Sequence, residues 1–313
     1  MLSLDPLSDV ETNFTRRVVL EQTTRADDRT HREPRKLKIA YLSEPGSCIV
    51  SLGDTKVLAQ CSAHICEPKP TRPNEGRLAI QFDVSPVAAS LQDSRTMEYR
   101  VGIGRLLDRV IRDSECVDLE NLCLVAGERA WEVRVDVVLM NLGGNVAECA
   151  SIASVAALAH FKRPEVTIVG KEMTVHPVTE HEPVPLHIYH YPYCLSFAFF
   201  EVMDTEKQAE EDEKGDAPSQ TETILVDPSF EEEACCDGIL IVGVNSHEEV
   251  CALQQRGSVL TADQIELCIK LACSRAKLIT DTIKRQLASK SGTDIDTIDP
   301  ESDQKEEGSR SNK

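Results

Sequence analysis

The sequence predicts an α+β fold, one domain of two lobes, each a sheet covered by helices. Three observations predict it. Short apolar runs with Gly and Pro between them fill 37–63, an Ala-rich helical stretch occupies 146–160, and a second set of apolar runs from 167 onward ends in a long amphipathic stretch. Strand-rich segments that each hand over to a helix describe layers of sheet and helix. With 313 residues, 41% of them hydrophobic, the chain can bury a substantial core.

Residues 1–30 read as a helical arm, capped by Ser8 and carrying Val10, Phe14, Val18 and Leu20 at roughly helical spacing. Such an arm is expected to pack on a neighbour. The first lobe spans 31–165. Its runs at 37–42, 48–52 and 56–63 read as an antiparallel meander, 77–84 as a further strand and 96–111 as a helix. The stretch 122–139, alternating around Glu132, Arg134 and Asp136, reads as a strand. Asn145 then caps a helix over 146–160 whose buried side carries Ile152, Val155, Ala156 and Leu158. The second lobe spans 166–288, with strands expected near 167 and at 186–189, 195–202, 223–226, 239–244 and 249–254. Thr261 and Gln264 form a capping box ahead of a helix marked by Ile265, Ile269, Ala272, Ile279 and Ile283. An acidic insertion at 204–222 and an acidic tail at 289–313 are too polar to bury and are expected to be disordered.

The net charge of -19 argues against generalised adhesion to nucleic acid, which needs local cationic density. Much of that acidity lies in the insertion and the tail, so the net value misstates the local field. No window approaches the roughly 20 apolar residues of a membrane span. No apolar run follows Met1 as a signal peptide would, so the 12 cysteines are expected to stay reduced inside a cell. Metal-site candidates are Cys61 with Cys66, the adjacent Cys235 and Cys236, and His181, His187 and His190. Without a Cys-x-x-Cys pair they predict no metal, and no cofactor is expected; the cysteines read as small buried apolar residues. No Gly-x-Ser-x-Gly elbow marks a nucleophile.

The region 94–160 carries the functional signal. Arg105, Arg109 and Arg112 stand at spacings of four and three on one helical face. Gly143-Gly144-Asn145-Val146 is a strand-to-helix turn whose amides could hold an anion. Arg95 precedes these blocks and Gly127-Glu128-Arg129 lies between them. Upstream is Gly53-Asp54-Thr55-Lys56-Val57-Leu58-Ala59; downstream are Ala150-Ser-Ile-Ala-Ser-Val-Ala-Ala-Leu-Ala-His-Phe161 and Leu225-Val226-Asp227-Pro228. In this order the blocks resemble the RNase PH family of phosphorolytic exoribonucleases, and within it the eukaryotic RNA exosome ring subunits, from about Pro6 to about Leu287.

The resemblance implies an RNase PH-like fold and a place in a six-membered ring, beside other RNase PH-like subunits and cap subunits. Such a ring threads single-stranded RNA for 3'-5' degradation and rRNA processing in nucleus, nucleolus and cytoplasm. It also implies a chain without catalysis. Active members place a Thr-Arg or Ser-Arg pair right after the glycine turn; here Asn145-Val146 follows, so Gly143, Gly144, Asn145 and Val146 are a degenerate phosphate site. A valine cannot replace a bidentate phosphate ligand. Active members also use two aspartates six residues apart ahead of the strand at 239–244. The matching positions are Glu232 with Gly238, the favoured register, or Glu231 with Asp237, a vestigial acidic pair.

Arg95 falls where active members keep a phosphate-contacting arginine. It joins Arg105, Arg109 and Arg112 as RNA-binding candidates, set against ion pairing with Asp93, Glu98, Asp108 or Asp113. Glu128 and Arg129 read as a structural ion pair. Arg25, Arg29, Arg32, Arg35, Lys36 and Lys38 read as a solvated strand entry, with RNA or partner contact as the other possibility. Two further functional readings stay open: an active phosphate-dependent 3'-5' exoribonuclease completed by a neighbour, and a scaffold that touches no RNA.

Overall fold

The computed structural model describes residues 7–22, 24–88, 94–169, 172–177, 181–201, 223–288 and 297–298, with the backbone alone at 94–95, 169, 172 and 297–298. The acidic insertion at 204–222, and all of the acidic tail except 297–298, lie outside the described residues.

Helix α1 (Asp9–Glu21) starts in a capping box: Ser8 Oγ accepts the Glu11 N–H at 3.3 Å and Glu11 Oε2 accepts the Ser8 N–H at 2.9 Å. Its inner face docks on its own chain. Val18 and Val19 are buried, Val19 in a cluster with Ala198, Phe200, Leu225 and Cys235. Val10 and Phe14 on the outer face remain exposed.

The expected meander forms as β1 (Leu37–Tyr41), β2 (Ser47–Leu52) and β3 (Thr55–Cys66), with Gly53 at φ +57° in the turn between β2 and β3. Strand β6 (Arg129–Asn141) pairs antiparallel with β3, and β4 (Arg77–Val84) pairs parallel with β6. With β15 (Thr297–Ile298) on the edge of β1, the sheet therefore runs β15-β1-β2-β3-β6-β4. Alternation sets one face inward: Val57, Ala59 and Cys61 are buried on β3, and Val133, Val135, Val137 and Leu139 on β6. Between β4 and β6 runs α2 (Ser94–Leu107), continued by a π-helical turn at Asp108–Arg112. The single helix expected over 96–111 thus changes pitch, and the wider turn coincides with burial of Leu107, Val110 and Ile111 together. The strand expected at 122–139 is also interrupted. A 3-10 turn (Glu120–Leu122), β5 (Cys123–Val125) and Gly127 at φ +78° precede β6.

The second sheet runs β12 (Thr223–Val226), β11 (Pro192–Phe200), β13 (Gly238–Asn245), β14 (Val250–Gly257), all antiparallel. The strands expected near 167 and at 186–189 do not join it. Instead β8 (Val166–Val169) pairs only with β9 (Glu172–Val175), and Ile188 makes a lone bridge to Val117. Pro177 and Pro183 lack the N–H that a sheet ladder needs, and β10 (Val184–Pro185) pairs only with β7 (Lys162–Arg163).

Helix α3 (Val146–His160) lies between the two sheets, against β2, β3 and β6 on one side and β11 on the other. Residues 146–158 are buried all round rather than along one stripe. Its Ala and Ser side chains let both sheets approach closely, so the two lobes share one core. A short helix, α4 (Phe230–Cys235), precedes β13, and α5 (Ala262–Ala288) covers the second sheet with Ala272, Ala276, Ile279 and Ile283. The Thr261–Gln264 capping box is present, with bonds of 2.6 and 3.4 Å.

Candidate functional site

Strand β6 ends at Asn141 and α3 begins at Val146, and the chain between them reverses through Gly144 at φ +86° and Asn145 at φ +50°. Glycine is required at 144: a Cβ there would lie 2.4 Å from the backbone of Ser229 and Phe230. The turn is thereby pressed against the start of α4. Its carbonyls are taken from within, Gly143 O by Arg35 Nη1 at 2.7 Å and Gly144 O by Thr55 Oγ1 at 2.6 Å.

The amide is taken as well. The Asn145 N–H donates to Glu233 Oε1 at 2.9 Å. Asn145 does not cap α3 through its side chain as expected. Its Nδ2 instead donates to Glu148 Oε2 and Asp227 Oδ1, each at 2.6 Å. Three carboxylates therefore converge on the turn where a phosphate-binding protein would place cations.

Their protonation follows from their neighbours. Burial alone would raise Asp227, but Arg35 grips both its oxygens, at 2.8 and 3.0 Å, and Arg29 adds its charge; the carboxyl is pulled down to about 2. Burial pushes Glu148 up to about 7, reinforced by the charge of Asp227 and opposed by Arg275. Burial likewise pushes Glu233 up to about 7, against the pull of the Asn145 N–H and Arg35. A phosphate at the turn would meet an amide already bonded to Glu233 and guanidinium groups, Arg35 and Arg29, already paired with Asp227, so these donors are not free to hold it.

Beside the turn is a cavity of about 130 Å³ walled by Tyr99, Ile103, Leu106, Val146, Phe230 and Ile239. Arg256 is the one cation among its lining residues, and Glu233 is the one carboxylate. The walls are mostly apolar and do not supply the preorganised charge that phosphoryl chemistry needs.

Neither carboxylate register anticipated from sequence faces the turn. Glu232 is buried with Arg25 at 3.4 Å and closes the Ser229 capping box, and Gly238 opens β13. Glu231 is exposed; Asp237 is held by Arg16 at 2.7 Å and accepts the Glu201 N–H at 2.9 Å. The carboxylate that does face the turn, Glu233, was not anticipated. The capping box Ser229–Glu232 marks in sequence the helix that carries 233, but not the turn that 233 meets.

Arg105, Arg109 and Arg112 are exposed and line no part of that cavity. Arg112 pairs with Asp108 and Asp113, each at 3.1 Å, as its plainer reading expects. Arg105 and Arg109 make no ion pair among the described residues. The side chain of Arg95 lies outside the described residues. Arg25, Arg29 and Arg35 are not a solvated strand entry: they turn inward onto Val226, Asp227 and Glu232. Glu128 and Arg129 are exposed and form no pair with one another among the described residues. Among the described residues no three His, Cys, Asp or Glu side chains converge to hold a metal, and no helix is long and apolar enough to cross a membrane.

Comparison with known proteins agrees with this architecture. The family model of the 3' exoribonuclease family, domain 1 (RNase PH), matches residues 21–164, and that of domain 2 matches 190–275. Exosome complex component RRP45 of Bos taurus is 40% identical over 284 residues, which cover 90% of this chain and 60% of that protein. The RRP45 proteins of Schizosaccharomyces pombe and Saccharomyces cerevisiae are 35% and 37% identical, each match covering 86% of this chain and 87% of the relative. The chain thus spans about 60% of the length of its mammalian relatives. Among solved structures, a chain of the Archaeoglobus fulgidus exosome with RNA bound to the active site superposes with a TM-score of 0.69 at 24% identity, over 88% of this chain and 99% of that one. An archaeal exosome core gives 0.67 at 23%, over 88% and 97%. At such identities the superpositions speak for the fold.

Proposed function

Because the chain belongs to the RNase PH family of 3' exoribonucleases, we propose that it is a ring subunit of the RNA exosome that helps build the ring and thread RNA but does not cleave it. The likeness to proteins named exosome complex component RRP45 supports the ring. Its partners are then other RNase PH-like ring subunits, cap subunits and single-stranded RNA, in nucleus, nucleolus and cytoplasm.

The hydrogen bond from Asn145 N–H to Glu233 carries the non-catalytic half of the reading. An enzyme of this kind stabilises charge that grows on a phosphoryl group as the bond breaks. Here Gly143, Gly144, Asn145 and Val146 form a turn whose donor is bonded to the chain's own carboxylate, and Val146 supplies no guanidinium. Threading is supported by Arg105 and Arg109, exposed and without an ion pair among the described residues. Their charge is available to phosphates, which favours RNA contact over a scaffold that touches none.

Incubating the purified chain, alone and with its ring neighbour, with single-stranded RNA and inorganic phosphate tests the reading. No nucleoside diphosphate is expected from active groups on this chain. Release that is abolished by substituting Glu233 or Asp237 would establish the enzyme instead.

A further inference from the structure

A groove of about 600 Å³ lies on the solvent side of the first sheet, lined in part by Lys36, Lys38, Ser51, Asp54 and Lys56. Lys38 stands opposite Ser51, and Ser51 opposite Lys56. Directly opposed residues of antiparallel strands share a face, so the two lysines flank Ser51 in one row across β1, β2 and β3. Both are exposed and have no ion pair among the described residues. In a chain of net charge -19, the groove has a local excess of positive charge, its lining cations outnumbering its carboxylates Asp27, Glu33 and Asp54.

The short strand β15 (Thr297–Ile298) lies beside this row. It pairs antiparallel with the free edge of β1, position 297 opposite Lys38 and position 298 opposite Leu37. The chain beyond Ile298 carries Asp299, Glu301, Asp303, Glu306 and Glu307. We propose that this acidic segment, 299–307, docks in the groove of its own chain with its carboxylates on Lys38 and Lys56.

Reach and charge both favour it. Lys56 lies two strands in from β1, roughly 10 Å at ordinary strand spacing, and nine residues can extend about 30 Å. Pro300 lacks the N–H that would prolong the ladder, so a segment docked in this way leaves the edge of β1 and brings its carboxylates over the lysine row. Tethering by β15 makes the encounter intramolecular, which raises the effective concentration of the segment to the order of millimolar. An external polyanion must displace it.

Lysine acetylation rates, read by mass spectrometry, test the proposal. Three proteins are compared: the full chain, the chain ending at Ile298, and the full chain with Asp299, Glu301, Asp303, Glu306 and Glu307 replaced by Asn or Gln. Exposed Lys162 serves as the control. In the full chain Lys38 and Lys56 should react about threefold or more slowly than in the other two, and 1 M salt should remove the difference by screening. Equal rates in all three proteins would overturn the proposal. So would protection that appears only when a single-stranded RNA is added, and equally with and without the acidic segment, since the groove would then belong to RNA.

Discussion

The backbone N–H of Asn145 and the carboxyl group of Glu233 stand 2.9 Å apart, so an internal acceptor occupies the position that a substrate anion would need. The turn keeps the backbone shape of an anion site, with Gly144 and Asn145 both at positive φ, while its amide is taken by Glu233 and the guanidinium groups beside it by Asp227 and Glu148.

Stability should depend on pH through these groups. Glu233 and Glu148 titrate near 4.5 when unfolded and at about 7 when folded. Between those values the native state binds more protons than the unfolded state, so stability falls as pH rises. Asp227 acts oppositely: held at about 2 against an ordinary 3.8, it contributes above its unfolded value and loses that contribution as pH falls through its folded one. Thermal unfolding should show greatest stability near about pH 4–5. Glu233→Gln keeps an acceptor for Asn145 and should flatten the decline toward pH 8; an unchanged slope would remove Glu233 as its source.

Asp227 is the counter-charge for Arg35 and Arg29 and accepts the Asn145 amide. Asp227→Asn leaves buried guanidinium charge uncompensated and should cost about 3–5 kcal/mol in urea unfolding. Arg35→Lys should be nearly as damaging as Arg35→Ala, since the three N–H groups on one ammonium nitrogen cannot serve both carboxylate oxygens and the Gly143 and Gly144 carbonyls together. Full stability in Arg35→Lys would show that the fork geometry does not matter.

Two glycines should respond in opposite directions. Gly144→Ala forces a Cβ to within 2.4 Å of the Ser229 and Phe230 backbone at φ +86° and should cost more than about 2 kcal/mol. Gly104→Ala, inside α2 with its nearest neighbour, Phe82, at 4.0 Å, should gain about 0.5–1 kcal/mol. Denaturant midpoints of the two variants decide both.

Much of the fold is legible in the sequence. The meander, the span of α3, the Ser8 cap and the Thr261–Gln264 capping box follow from local chemistry that nothing distant overrides. The proline-rich stretch 177–192 and the π-helical turn at 108–112 were not legible, because apolar periodicity alone does not reveal a missing ladder donor or a widened turn. At the site, the loss of a guanidinium at Val146 could be read directly from sequence. The occupation of the turn by Glu233 could not, since it depends on Gly144 packing against α4, a contact between residues far apart in the chain. Arg25, Arg29 and Arg35 misled for the same reason: their counter-charges, Asp227 and Glu232, lie about 200 residues away in sequence.

Arg105 and Arg109 should matter for RNA and little for folding. Reversing either to Glu should shift stability by no more than about 0.5 kcal/mol. In the assembled ring it should weaken crosslinking to single-stranded RNA and lower the salt dependence of binding by about one unit per lost phosphate contact. Unchanged crosslinks with both reversed would favour a scaffold role.

The most direct test is a crystal structure determined in concentrated phosphate. Glu233 Oε1 should remain within hydrogen-bond distance of Asn145 N, with no anion on the turn. A phosphate oxygen bonded to that N–H, with Glu233 swung aside, would contradict the claim that the chain closes its own anion site.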